Sequence, residues 1–465
     1  MSRILKNVSF TTIGQFSNTL LAFVLLPFAA HYLDNDEFGK YSLGSTLMFF
    51  VNLVCDLGLE TLLTREIARK KRLSARLLSI ALGAKTFLIL LAVAFVMVFL
   101  LLTPYDYESR IVIIIFSVVG IVGSFSLTLS SVYRSHELMQ YETLGNVLEK
   151  IVIVGLAVLL LVKGYGVIVF STVFLIAVFI KLAYNIYVLN ARFFPVHVDF
   201  DYFKSRMLLK SSFFLGLSVF LSMVYNKIDI VMLSMMQSMD DVSWYSASYR
   251  LLTFTSIIPT ILVISFLPQL SSSARDKQAL SRLFFKGIKY LLVIVIPMIP
   301  YIYFLAEDII TIIFGIKYAN SVIALKYLVF ATFAQMFNIF FVSIYVATNR
   351  QNRIVFIQVI ALVTNVILNL MLIPRLSYVG ASIATIVTEG IILLYITSYA
   401  LKNIIVFPRR AHLYIGKISL ATLIGLAIFG MLSPLKIDQI ALAVGTIILY
   451  FLILLKFRWI EKPEF

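Results

Sequence analysis

Apolar segments of about 20 residues follow one another along nearly the whole chain, and the Lys and Arg of the connectors gather in every other connector. A hydrocarbon core roughly 30 Å thick takes about 20 apolar residues per helix. By that measure the chain holds about fourteen spans, near 9–33, 38–60, 77–102, 110–133, 143–162, 165–189, 208–236, 242–270, 286–305, 318–348, 351–373, 378–401, 413–432 and 437–456. Little remains for a water-soluble domain, so function must reside in what the helices enclose. The expectation is an all-α integral membrane protein.

Composition agrees. The 465 residues are 61% hydrophobic, with a mean hydropathy of +0.99. The formal charge of +16 would suit a nucleic-acid binder if it formed one continuous basic face. It does not: the basic residues sit in short connectors at helix ends, as membrane topology requires, and no nucleic-acid partner is expected. Cys55 is the single cysteine, so no internal disulfide can form. Arg3 and Lys6 precede a long apolar stretch that ends at His31-Tyr32-Leu33-Asp34 without a small-residue cleavage site, and that stretch reads as a first span.

Loop charges set the expected orientation. One side carries Arg65, Arg69, Lys70, Lys71, Arg72 and Arg76; then Arg192, Lys204, Arg206 and Lys210; then Arg275, Lys277, Arg282 and Lys286; then Arg350 and Arg353; then Lys402, Arg409 and Arg410. The opposite loops are acidic, with Asp34, Asp36 and Glu37, Asp106 and Glu108, Asp240 and Asp241, Glu307 and Asp308. The positive-inside bias puts both termini in the cytoplasm, and the expected location is an inner (cytoplasmic) membrane. The outer loops are short, which argues against a membrane glycosyltransferase or glycan polymerase.

The chain also resembles itself at a shift of 204 residues. Leu5 pairs with Leu209, Lys6 with Lys210, Phe10 with Phe214, Phe16 with Phe220, Tyr41 with Tyr245, Ser42 with Ser246, Leu47 with Leu251 and Phe50 with Phe254. Asp36 and Glu37 fall opposite Asp240 and Asp241, and later the shift grows until Gly166 meets Gly380. Six spans separate the copies. An even number leaves two halves running in the same direction, related by an axis along the membrane normal. The expected division is an N-lobe at 1–207, a C-lobe at 208–405 and two additional helices at 406–465.

The same residues carry a family resemblance. Leu26-Pro27 through Leu33, Asp36-Glu37-Phe38-Gly39-Lys40-Tyr41, Asp56-Leu57-Gly58-Leu59 and Thr64-Arg65-Glu66-Ile67-Ala68 form one idiom. Lys227-Ile228-Asp229-Ile230-Val231-Met232-Leu233, Asp240-Asp241-Val242-Ser243-Trp244-Tyr245-Ser246-Ala247 and Arg250-Leu251 repeat it. The chain resembles the polysaccharide transporters, the O-antigen and oligosaccharide flippases of the multidrug/oligosaccharidyl-lipid/polysaccharide (MOP) superfamily. That resemblance implies a MATE-like fold of two six-helix lobes plus two C-terminal helices. It also implies a cargo: an oligosaccharide on undecaprenyl pyrophosphate, moved from the cytoplasmic to the outer leaflet for lipopolysaccharide or other surface glycan. A glycan polymerase and chain-length machinery would be partners beside the membrane lipids.

Charges inside spans are costly, roughly 2.5–3.5 kcal/mol each on insertion scales, and usually face a cavity or a partner. The cations are Lys85, Lys150, Lys181, Lys227, Arg250, Lys289 and Lys326; the carboxylates are Glu149, Asp229 and Glu389. The excess of positive charge suits an electropositive cleft holding a diphosphate. Lys227, Arg250 and Lys326 are the leading candidates to line it. Lys85 and Lys150 stay open between lining it and snorkelling, while Lys181 and Lys289 read as snorkelling to the interface. Asp229 reads as a structural partner of Arg250 or as a site for a coupling proton or Na⁺. Glu389 is open between the same two roles. Tyr225, Tyr249, Tyr327 and Tyr345 could stack on sugar, whereas Trp244 reads as an interfacial anchor. Pro27, inside the first span, is a candidate hinge.

Absent motifs narrow the reading further. No Gly-Lys-Ser/Thr phosphate loop, HExxH or Cys pair occurs, and His31, His136, His197 and His412 are scattered. Catalytic residues, a metal and a cofactor are therefore not expected. The alternatives to a flippase are a multidrug/cation antiporter of the same fold, a membrane-embedded glycan polymerase and a non-transporting assembly scaffold. The basic, partly amphipathic stretch 61–76 reads as lying against an anionic leaflet.

Overall fold

The computed structural model describes residues 3–407, 411–433 and 438–457. Arg409 and Arg410 lie outside the described residues, as do the side chains of Leu5, Lys6, Phe10, Phe16, Phe214 and His412. Every regular element described is helical. In order these are α1 Arg3–Tyr32, α2 Asn35–Asp56, α3 Leu59–Arg69, α4 Ser74–Leu102, α5 Tyr107–Ser135, α6 Met139–Val162, α7 Val167–Arg192 and α8 Tyr202–Met236. There follow α9 Met239–Thr253, α10 Ile257–Ser272, α11 Lys277–Phe304, α12 Ala306–Phe314, α13 Ser321–Ala347, α14 Gln351–Asn403, α15 Ala411–Leu432 and α16 Gln439–Lys456. Eleven described helices are long and apolar enough to cross a membrane, or twelve if the bent pair α2–α3 is one span. This is a multi-pass membrane protein.

That criterion counts the 53-residue α14 once and reaches only Leu20–Tyr32 of α1, so it stops short of fourteen. At 1.5 Å per residue, α14 would be about 80 Å long if straight, far more than one bilayer needs. It is not straight. Ser377 leaves helical geometry with φ 49° and ψ −133°, and Gly380 comes so close to the Leu372 carbonyl that a Cβ there would meet it at 2.5 Å. Eight residues of continuous helix would hold those groups about 12 Å apart. The chain therefore doubles back at Ser377.

The chain divides into two compact units, Met1–Ser243 and Trp244–Phe465. In the first, α2 packs on α5, α1 on α6, and α5 and α6 on α7, while α8 lies against α2, α3 and α4. Leu63, Ile67, Leu78, Leu129, Val132, Tyr133 and Leu189 form one of its cores. In the second, α13 is central, packed on α10, α11 and α14, and α15 and α16 attach through α11. Tyr450 donates to the Val293 carbonyl at 2.7 Å and Tyr301 to Thr446 Oγ1 at 2.8 Å, so α16 is tied to α11 by hydrogen bonds, and both α15 and α16 pack on α11 through apolar side chains. Outward positions remain apolar: Leu101 is 84% exposed and Leu394 71%. In water such faces would aggregate; in a bilayer they meet lipid tails.

The repeat has a local structural basis. Asp34 caps α2: its carboxylate accepts the Glu37 amide at 2.7 Å, and Glu37 returns a bond to the Asp34 amide at 3.2 Å. The positions 204 residues later do the same at the start of α9. Ser238 Oγ accepts the Asp241 amide, and the Asp241 carboxylate accepts the Ser238 amide, each at 3.3 Å. Both are capping boxes, which satisfy the amides that a helix start leaves without partners. The matched acidic turns thus answer to a matched need.

Candidate functional site

Among the described residues, several charges inside the helices are matched by a carboxylate, and two cations, Lys150 and Lys326, have no ion-pair partner. Lys40 is 6% exposed and stands 2.6 Å from Asp36, 2.7 Å from Glu108 and 3.2 Å from Asp106. This joins the start of α2 to the 103–106 turn and α5. Burial is the largest single influence on the Asp106 carboxyl, in that turn, and pushes its pKa up; hydrogen bonds from the Ser109 amide and Lys40, with the charge of Lys40, together outweigh it and hold the carboxyl below its ordinary range.

Lys85 has no exposed side-chain surface. Its ammonium donates to the Cys55 carbonyl at 2.9 Å and lies 3.6 Å from Asp56. Arg134 lies between Glu60 and Glu142, gripping Glu142 with Nε at 3.1 and 3.0 Å from its two oxygens. Lys181 pairs with Glu149 at 2.8 Å. The snorkelling expected of Lys181 gives way to a buried ion pair between α7 and α6. Lys289 is likewise buried, with its ammonium 4.4 Å from the centre of the Tyr414 ring. Its expected snorkelling is replaced by a cation–π contact, favoured where water is scarce.

Lys150 and Lys326 are both half-buried in spanning helices, and neither has an ion-pair partner among the described residues. Lys326 faces the Tyr303 ring at 5.3 Å. Lys227 is half-buried on α8 with its ammonium 5.7 Å from the Phe49 ring centre, and Arg250 is half-buried on α9. Asp229 is 4% exposed on α8. Lys227, Lys150, Lys85 and Asp229 belong to the first unit, and Arg250, Lys326 and Glu389 to the second. Pro27 sits inside α1, which continues through it as helix.

Glu389 has a partner that spacing did not reveal. Its Oε2 accepts Asn338 Nδ2 at 2.6 Å, and the same amide reaches the Glu389 carbonyl at 3.2 Å. Beside it lies a narrow cavity bordered by Tyr249, Thr253, Thr332, Gln335 and Thr385, with about 10 Å³ open to the centre of a water molecule. That is room for about one water. The donor set there is oxygen-rich and includes a 3% exposed carboxylate. Among the described residues no cluster of His, Cys, Asp and Glu could hold a metal.

Sequence reading missed Asp56, Glu60 and Glu142 as partners. Each lies near the end of its helix, where a carboxylate reads as solvated. The one signal in the chain was Lys85 itself, a cation inside a span, which calls for a carboxylate nearby. Tyr345 is fully buried and donates to the Ile396 carbonyl at 2.6 Å, so its hydroxyl is committed to packing.

The chain is similar in structure to the lipid II flippase MurJ in an inward closed conformation, with a TM-score of 0.78 and 18% identity, over 97% of this chain and 98% of that one. It is similar to an inward-facing multidrug resistance MATE family transporter of the MOP superfamily, with a TM-score of 0.61 and 17% identity, over 83% and 99%. The MATE multidrug transporter DinF-BH gives 0.62 and 14%, over 86% and 95%. A comparison with curated proteins found no match. The solved structures establish a shared helical fold, that of transporters and flippases. The profile for polysaccharide biosynthesis proteins matches residues 4–274, more than half the chain; by that match, and with the fold in agreement, the chain belongs to the polysaccharide biosynthesis protein family.

Proposed function

We propose that the protein is a flippase that moves a lipid-diphosphate-linked oligosaccharide, on a carrier such as undecaprenyl pyrophosphate, from the cytoplasmic to the outer leaflet for O-antigen or other surface polysaccharide assembly. In this reading fourteen spans leave both termini in the cytoplasm, and lobes at 1–207 and 208–405 alternate access, with Pro27 as a hinge and 406–465 as two added helices. A polymerase would take up the product outside.

The observation that carries the reading is the sorting of cations. Lys40, Lys85, Arg134 and Lys181 are each matched by carboxylate, so they stabilise the helices. Lys150 and Lys326 are not matched among the described residues, although both lie in membrane-spanning helices. A half-buried ammonium without a carboxylate is stabilised by an anion arriving from elsewhere, and a diphosphate headgroup supplies one. Lys227 and Arg250, half-buried on α8 and α9, would also contact the cargo's charged group. A drug-extruding antiporter handles cations and would favour the opposite sign.

Glu389 supports coupling. A buried carboxylate that accepts the Asn338 amide and lies beside a water-sized cavity can take up a proton or Na⁺. The test is complementation of a flippase-null strain with surface glycan as the readout. Lys326→Ala and Lys150→Ala should lower glycan export while protein level and membrane insertion hold. Full export in both variants would remove the anionic-cargo argument.

A further inference from the structure

A larger opening lies wholly within the first unit, where α3, α4 and α8 meet. It holds about 420 Å³. Its walls are of two kinds. Leu62, Leu77 and Met207 are apolar; Arg65, Arg76 and Lys204 are cationic, against one carboxylate, Glu66.

The existing partners do not neutralise it. Arg65 Nε and Arg69 Nη1 share Glu66, at 3.0 and 3.3 Å, and Lys204 pairs with Asp201. Arg76 makes no ion pair among the described residues. The helix that carries Arg65 is amphipathic: Leu59, Leu62, Leu63 and Ile67 are buried, while the Arg65 and Arg69 side chains are 50% and 65% exposed. Large apolar side chains continue outward from the cationic rim, with Met207 69% and Phe203 80% exposed.

Each half of this pattern excludes a simpler occupant. A free anion would use the guanidinium groups but gain nothing from Leu62, Leu77 and Met207. A neutral lipid tail would use the apolar wall but leave Arg76 uncompensated. A molecule with a phosphodiester at one end and acyl chains at the other uses both, because Arg binds phosphate with directed hydrogen bonds and the hydrophobic effect retains the chains.

We propose that this groove is a binding site for an anionic phospholipid of the surrounding bilayer. Its phosphate lies at Arg65 and Arg76, and one acyl chain runs along Leu62, Leu77 and Met207. The lipid is a resident of the membrane and not the cargo, so the assignment stands or falls independently of the transported molecule.

The test exchanges the full-length protein into an equimolar mixture of phosphatidylglycerol and phosphatidylcholine and reads retained lipid by native mass spectrometry. The wild-type chain should retain phosphatidylglycerol preferentially. A basic residue near a membrane surface contributes enough that Arg65→Ala with Arg76→Ala should lower the preference roughly thirtyfold, and Arg76→Gln alone about fivefold. Replacing both with Lys should keep most of the preference, and Lys402→Ala, outside the groove, should keep all of it. Melting temperature confirms that each variant is folded; Arg76→Gln, at an exposed position, carries the test if the double variant is not. Absence of preference in the wild type, or a preference that survives neutralisation, overturns the proposal. So does ready displacement of the lipid by inorganic phosphate, which would mark a plain anion site.

Discussion

Lys85 reaches Asp56 from the middle of α4, with its ammonium 3.6 Å from the carboxylate and no exposed surface of its own. The same carboxylate accepts the amides of Gly58 and Glu60 at 3.1 and 3.2 Å. Those amides open α3, just past the 45° bend that separates it from α2. The ion pair therefore bears on the break in the helix: Lys85 holds the group that caps the new segment. An added bond to the Cys55 carbonyl, at 2.9 Å, fixes the last turn of α2 as well.

Removing one member of a buried pair strands the other, at a cost of about 3–5 kcal/mol, whereas replacing both by neutral groups costs far less. Lys85→Met should therefore lower the melting temperature of the purified protein sharply, and Lys85→Met with Asp56→Asn should recover part of the loss. Thermal unfolding in detergent checks this. A single Lys85→Met variant as stable as the wild type would show that the pair contributes nothing to the bend.

Gly58 and Gly164 both hold a left-handed backbone, with φ of 81° and 80°, but they differ in surroundings. A Cβ on Gly58 would meet the Gly216 amide of α8 at 2.4 Å, while nothing lies within 4 Å of one on Gly164. Gly164→Ala should cost only the conformational term, about 1–2 kcal/mol. Gly58→Ala should cost that and also push α3 from α8, so its yield of folded protein should fall much further. Comparing the two by size-exclusion profile and melting temperature isolates the contact from the backbone strain.

Glu389→Gln keeps an oxygen for Asn338 while removing the charge. If the carboxylate carries the coupling ion, export in inverted vesicles should lose its response to an imposed pH or Na⁺ gradient while some downhill movement persists. Asn338→Asp places a second acid against Glu389 and should shift the pH at which transport is half-maximal upward. A gradient response identical to the wild type in Glu389→Gln would place coupling elsewhere.

His136 lies in the turn between α5 and α6, with Nε2 3.1 Å from Ser74 Oγ. Burial, and then the charge of Lys71, hold its imidazole below the ordinary histidine pKa. As pH falls, the unfolded chain takes up this proton before the folded one does. The contribution to stability is thus fully present above the ordinary histidine pKa of about 6.5 and declines as pH falls through and below it. Melting temperatures of wild type and His136→Gln, measured across that range, should differ in slope below it and run parallel above it.

Much of the architecture was legible in the chain because the bilayer imposes a simple rule. A span must be long, apolar and hydrogen-bonded within itself, and Leu90, Met97 and Leu101 on α4 obey it whether or not their neighbours are known. The matched acidic turns were legible in the same way, and the structure shows their role as capping boxes, Asp34 with Glu37 and Ser238 with Asp241, each closed within four residues. Partners were not. Glu389 meets Asn338 across 51 residues and Lys85 meets Asp56 across 29, and no local pattern carries such distances.

The chain by itself determined that this protein lives in lipid, repeats its first half in its second and carries basic residues inside its helices. Hydropathy and local hydrogen bonding act along the sequence, so they can be read along it. Only the tertiary structure decided which cations are bound to carboxylates. Electrostatic energy depends on separation in space, and packing α4 against the end of α2, or α7 against α6, brought ammonium and carboxylate groups together that the sequence keeps far apart.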